Sequence, residues 1–101
     1  MTAPPEREHE REFTVQRELG LHARPASQFV AMAGRFECEI QVGRGPEWVD
    51  GRSVLSLLSL AAGQGTRLRI RAVGPDAVEA VEALGEILER SASAVEGEVP
   101  A

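Results

Sequence analysis

The 101-residue sequence has no lysine, so all 11 of its full positive charges are arginines. That absence says nothing about function by itself, but the company the arginines keep does. A single-strand nucleic-acid platform interleaves basic with aromatic side chains. Here aromatics make up 4% of the chain and the formal net charge is −5, which argues against a nucleic-acid partner. Cysteine is nearly absent too. One residue, Cys38, cannot form an internal disulfide, and no paired His/Cys spacing suggests zinc. No metal or other cofactor is therefore expected, and the cytoplasm is the expected compartment. Long apolar runs are missing, so no membrane insertion is expected. The first residues carry Pro4-Pro5 and then mixed charge, the opposite of an export signal.

What remains is a chain with 43% apolar residues, enough for one modest core and not for two. Residues 1–11 read as a flexible polar lead, 12–90 as the folded domain and 91–101 as a flexible, small-residue and acidic tail. His9, among Glu8, Glu10 and Arg11, reads as a solvated side chain of the lead. Phe13 to Gln16 alternates as a short strand, and a helix follows over about Ala23 to Ala33, stopped by Gly34. Phe36, Cys38, Ile40 and Val42 alternate with polar residues as a second strand that turns one face inward, Cys38 serving as a small core hydrophobe. Glu47-Trp48-Val49 forms a third strand, with Trp48 exposed or half-packed.

A second helix begins after Ser53 and ends at Gly63-Gln64-Gly65. Leu68, Ile70 and Ala72 alternate with Arg67, Arg69 and Arg71 in a fourth strand, whose arginine row is expected to pair with glutamates of the second strand. The last helix starts after Asp76, which with Glu79 has the form of a capping box, and buries Val78, Val81, Leu84 and Leu88. Strand, helix, strand, strand, helix, strand, helix is an α+β plan. A ferredoxin-like regulatory domain with an extra helix would share that order.

The chemistry concentrates in Gly20-Leu21-His22-Ala23-Arg24-Pro25-Ala26. Helix starts attract phosphate because first-turn N–H groups lack intrahelical acceptors and the peptide dipoles leave partial positive charge there. Gly20 permits a tight turn into that end, and Pro25 is tolerated in a first helical turn. A neutral imidazole offers a nucleophilic nitrogen near pH 7, and a guanidinium grips phosphate oxygens through several donors. A capping histidine beside a surface arginine is the plain structural alternative.

This segment resembles the active-site segment of HPr, the histidine-containing phosphocarrier family of the bacterial phosphoenolpyruvate-dependent phosphotransferase system. The resemblance continues through Ala26-Ser27-Gln28-Phe29-Val30, through Asp50 to Ala62 and through Gln64-Gly65-Thr66, and spans about Glu12 to Arg90. It implies an open-faced β-sandwich, a four-stranded antiparallel sheet with three helices on one face. It further implies that His22, through Nδ1, accepts a phosphoryl group from phosphorylated enzyme I and passes it to enzyme IIA domains, phosphoenolpyruvate being the ultimate source. Arg24 and the first-turn amides of Ala23 and Arg24 would offset the phosphoryl charge. On this reading the chain is a carrier and catalyses nothing by itself.

Ser53 suits the N-cap of the second helix, a purely structural role. The resemblance adds regulatory phosphorylation there by an HPr kinase/phosphorylase, and a transcription regulator as a further partner. Arg52, Val54, Leu55 and Leu58 match the docking surface of the family, with Leu55 and Leu58 at its exposed positions. No strong self-association signal stands out, so a monomer is expected. The sequence departs from the family pattern at Leu19, where a small polar residue is common, and at Ala31 and Glu47, where lysine is frequent. These departures leave sugar and nitrogen branches both open. A regulatory interaction module switched by phosphorylation and a small-molecule-sensing domain are the rival functional classes.

Overall fold

Seven elements follow one another in the expected order in the computed structural model, which describes residues 7–90. They are β1 (Glu8–Thr14), α1 (Ala23–Ala33), β2 (Glu39–Arg44), β3 (Glu47–Asp50), α2 (Val54–Ser59), β4 (Arg67–Val73) and α3 (Ala77–Glu89). The strands form one sheet in the order β1-β4-β2-β3, and every pairing is antiparallel. Alternation directs Phe13, Ile40, Val42, Leu68, Ile70 and Ala72 to one face, where all are buried against the helices. The other face stays open and polar. The result is the open-faced α+β sandwich. The flexible lead expected over residues 1–6 and the flexible tail expected over 91–101 lie outside the described residues.

Several boundaries differ from the sequence reading, each for a tertiary reason. β1 starts at Glu8 rather than Phe13, because pairing with β4 runs from Glu8↔Val73 to Thr14↔Arg67. Residues 8–11, read as lead, are thus sheet. His9 is not simply solvated: its Nε2 lies 3.6 Å from Glu82 Oε2 on α3. Arg11 donates to the other Glu82 oxygen, and this bond holds the Glu82 carboxyl below the usual carboxylate range. β2 starts only at Glu39, leaving Phe36 and Cys38 half-buried against the core ahead of it. Burial pushes the Cys38 thiol up, as suits a packing side chain more than a reactive one.

The arginine row pairs with β1, not with β2. Arg71 Nε sits 3.0 Å from Glu8 Oε2 and Arg69 Nη1 sits 4.0 Å from Glu10 Oε2. Register explains the choice, since β2 sets Gln41 and Gly43, neither of them acidic, opposite Arg71 and Arg69. Such exposed pairs contribute at most about 1 kcal/mol each. Of the two expected states Trp48 is half-packed: it lies over Gly43, with the Arg69 guanidinium 4.4 Å from its ring centroid.

α3 has no capping box. The Asp76 carboxylate instead accepts the Glu37 backbone N–H at 2.9 Å and so ties the start of α3 to the approach to β2. Val78 is 46% exposed, while Ala77, Ala80, Val81, Leu84 and Leu88 are buried. At 3.6 residues per turn Val78 stands about 100° round from Ala77, at the edge of that stripe.

Candidate functional site

His22 occupies the N-cap position of α1, with an extended backbone (φ −91°, ψ −169°) and no cap hydrogen bond from its side chain. Its carbonyl accepts the Ala26 N–H at 3.0 Å. The fold therefore uses the backbone of His22 and leaves the half-exposed imidazole available. Ala23 and Arg24 form the exposed start of the helix, and Pro25, buried behind them, brings no N–H of its own. The first-turn N–H donors are those of Ala23 and Arg24.

The approach to this helix start is a closed turn. Gly20 N–H donates to Arg17 O at 3.0 Å, and His22 N–H donates to Gly20 O at 3.0 Å. Leu21 is buried and its N–H donates to Ala62 O at 2.8 Å, which fastens the turn to the chain leaving α2. Gly20 has φ +73°, and a Cβ there would overlap the Ala62 carbonyl oxygen and lie 2.7 Å from Gly63 Cα. Gly20→Ala is accordingly expected to lose about 2–3 kcal/mol, combining left-handed strain with the clash. Urea denaturation checks the loss, and a shifted His22 imidazole resonance would report the displaced turn.

α2 ends earlier than Gly63. Leu60 caps it and Ala61 takes φ 51°, with Arg44 Nη1 donating to Leu60 O at 2.7 Å and to Ala61 O at 2.9 Å. This arginine, contributed by β2, answers the unpartnered carbonyls of the helix C-terminus. At the other end Ser53 is the N-cap, its Oγ accepting the Ser56 N–H at 3.1 Å. Arg52 is engaged within the fold: its guanidinium donates to the carbonyls of Ala33, Phe36 and Cys38 at 2.7–2.9 Å. The start of α2 thus adjoins the end of α1, and the chain leaving α2 adjoins the start of α1. The two helices run side by side in opposite directions.

That arrangement puts Ser53 and His22 at opposite ends of α2 and gathers His22, Ala23, Arg24 and the exit from α2 at one end. Leu55 is 79% exposed, as expected, and Leu19 in the His22 turn is 77% exposed. Leu58 differs from expectation, because it is half-buried against the core together with Val54. Sequence reading missed Arg44 and Arg17, since an arginine in a turn or strand end gives no local sign of the carbonyls it will reach. Two surface grooves, one including Cys38, Trp48 and Arg52 and the other Gln28, Met32 and Arg35, are not lined by His22. Among the described residues no three His, Cys, Asp or Glu gather to hold a metal ion. No described helix is long and apolar enough to cross a membrane.

Residues 9–90 match the family described as PTS HPr component phosphorylation site. The phosphocarrier protein HPr of Pseudomonas aeruginosa is 47% identical over 78 residues, which cover 76% of this chain and 87% of that protein. HPr of Pseudomonas putida is 46% identical over 79 residues, covering 77% of this chain and 88% of its own. Among solved structures, HPr from Bacillus anthracis superposes with a TM-score of 0.77 at 36% identity, covering 80% of this chain and 96% of that one.

Proposed function

The chain belongs to the HPr family of phosphotransferase-system phosphocarriers, and from that premise we propose that it carries its phosphoryl group on His22, received from phosphorylated enzyme I and delivered to enzyme IIA domains in the cytoplasm. One observation carries the choice of residue: the His22 imidazole stands at the N-terminus of α1 without being used as a cap. As the imidazole nitrogen bonds to phosphorus, the bond from phosphorus to the donor breaks and the donor keeps that electron pair. By family analogy the attacking atom is Nδ1. Arg24, two residues after His22 at the exposed start of α1, and the amides of the first turn would offset the charge on the phosphoryl oxygens, the helix end contributing about 0.3–1 kcal/mol when exposed. Half-exposure suits a carrier, which has to release its cargo as readily as it takes it.

The test is incubation with phosphoenolpyruvate and enzyme I, followed by intact mass, acid lability and peptide mapping. One acid-labile phosphate on His22 is expected. A functioning enzyme I that leaves His22 bare would overturn the carrier reading.

Leu19 in the His22 turn and Leu55 near the start of α2 supply exposed apolar anchors for these partners, with half-buried Val54 and Leu58 and exposed Arg52 flanking Leu55. Phosphorylation of Ser53 by an HPr kinase/phosphorylase would regulate transfer through that docking face, and a transcription regulator could read the same mark. α2 has six residues, so about 9 Å of helix separates Ser53 from the His22 end. That is already about one Debye length at physiological salt, so a charge on Ser53 acts weakly on His22 itself. It acts strongly on a partner laid along α2. Ser53→Asp retains a good N-cap and is expected to raise the KM of enzyme I for the carrier several-fold. The thermal midpoint and the hydrolysis half-life of phosphorylated His22 should hardly move. An unchanged KM would count against regulation at this position.

A further inference from the structure

Arg17 is the charged side chain that the described fold buries in its interior, at 2% exposure. Its Nε donates to Ile87 O at 3.2 Å and its Nη2 to Gln28 Oε1 at 3.0 Å. The neighbouring Gln16 N–H donates to Leu88 O at 3.0 Å. Ile87 and Leu88 belong to the last turn of α3, where carbonyls lack intrahelical donors and partial negative charge collects, so a buried cation is favoured there. Capping α3 would account for these contacts alone.

The contact with Gln28 reaches further. Gln28 stands on α1 less than two turns beyond His22. One guanidinium therefore bridges the end of α3, the flank of α1 and the turn that leads into His22. The tip of that turn, Glu18 and Leu19, is exposed, so the turn is held at its two ends. Its far end is fixed by the Leu21–Ala62 bond, and its near end is the backbone of Arg17, whose carbonyl accepts the Gly20 N–H. A rigid planar fork holds such an angle better than a single-point cation.

We infer that Arg17 is a positioning residue for phosphoryl acceptance, its buried guanidinium fixing the angle between the Arg17–Gly20 turn and α1 and so the direction in which His22 meets a donor. The inference rests on the carrier reading of His22. Misorientation of a reacting group by about 1 Å can cost two orders of magnitude in rate, and a loosened turn costs less because correct poses are still sampled.

The experiment compares Arg17→Met and Gln28→Leu with Val81→Ala, a core truncation in α3 remote from the turn. Each is assayed for kcat and KM of phosphorylation by enzyme I with phosphoenolpyruvate, for thermal midpoint and for the His22 imidazole resonances. The expected result is a fall in kcat of about tenfold for Arg17→Met and about threefold for Gln28→Leu, with KM little changed and the His22 resonances displaced. Val81→Ala should lower the midpoint and leave kcat alone. Gln28 is half-buried at the surface, so its variant still decides the matter if Arg17→Met fails to fold. Lowered midpoints with kcat and His22 resonances unchanged would overturn the inference and leave Arg17 as a cap for α3. If the wild-type protein accepts no phosphate from a functioning enzyme I, the carrier reading fails. The His22 resonances then judge the positioning role alone: displaced, it stands, and unmoved, it falls.

Discussion

His22→Ala is expected to abolish phosphoryl acceptance from enzyme I while leaving the chain folded and nearly as stable as before. The fold asks three things of this position, an extended N-cap backbone, an N–H for the Gly20 carbonyl and a carbonyl for the Ala26 N–H, and alanine supplies all three. The imidazole makes no cap bond that could be lost, so the penalty for removing a capping side chain does not arise. The stability change should stay within about 0.5 kcal/mol. Chemistry responds in the opposite way, because no other described side chain near the start of α1 offers a nucleophilic nitrogen in its place. His9 is the natural control: it lies on β1 beside Glu82 of α3, and His9→Ala should leave acceptance intact. Intact mass after incubation with phosphoenolpyruvate and enzyme I reads the first effect, and circular dichroism with urea titration reads the second. A variant that lost its fold would identify His22 as chiefly structural, and retained phosphate would move the acceptor elsewhere.

The residues most legible in the sequence were those whose structure is set locally. Gly20, Pro25 and Gly34 delimit α1, and its observed bounds are the expected ones. Ser53 caps α2 as its position before an apolar run suggested. Elements whose limits are imposed from a distance are not legible locally. β1 reaches back to Glu8 because β4 is long enough to pair with it. α2 stops at Ser59 because Arg44 satisfies the carbonyls that follow. Asp76 looked like a helix cap and instead binds Glu37, far away in the chain. The same division runs through the site. His22, Ala23 and Arg24 are adjacent in sequence and were found together. The supports for their turn, Ala62, Ile87 and Gln28, are contributed by three other parts of the chain. Nothing local to Arg17 distinguishes a buried strut from a solvated arginine.

Gly85→Ala poses propensity against packing, and packing is expected to win. In an exposed helix this change would gain about 1 kcal/mol, since alanine loses less backbone freedom than glycine and favours the helix. Gly85 is not exposed. A Cβ on it would overlap Cε1 and Cζ of Phe13 and lie 2.7 Å from its Cδ1. Phe13 is itself 4% exposed, fixed in β1 opposite Leu68, and the Arg11 guanidinium lies 4.8 Å from its ring centroid, so the ring has little room to swing aside. Overpacking of this kind costs about 1–3 kcal/mol and sometimes more. After subtracting the propensity gain, a net loss of up to about 2 kcal/mol is expected in urea titration. Phe13→Leu should relieve the clash, so the double variant should lose less than the sum of the two single losses, with a coupling above about 1 kcal/mol. Phosphoryl acceptance per folded molecule should stay near wild type in both, because the His22 turn is held by Ala62 and Arg17 rather than by the Phe13 ring. A gain in stability from Gly85→Ala would mean that β1 does not approach α3 this closely. A lost acceptance rate in a folded variant would mean that the core and the carrier turn are coupled through β1.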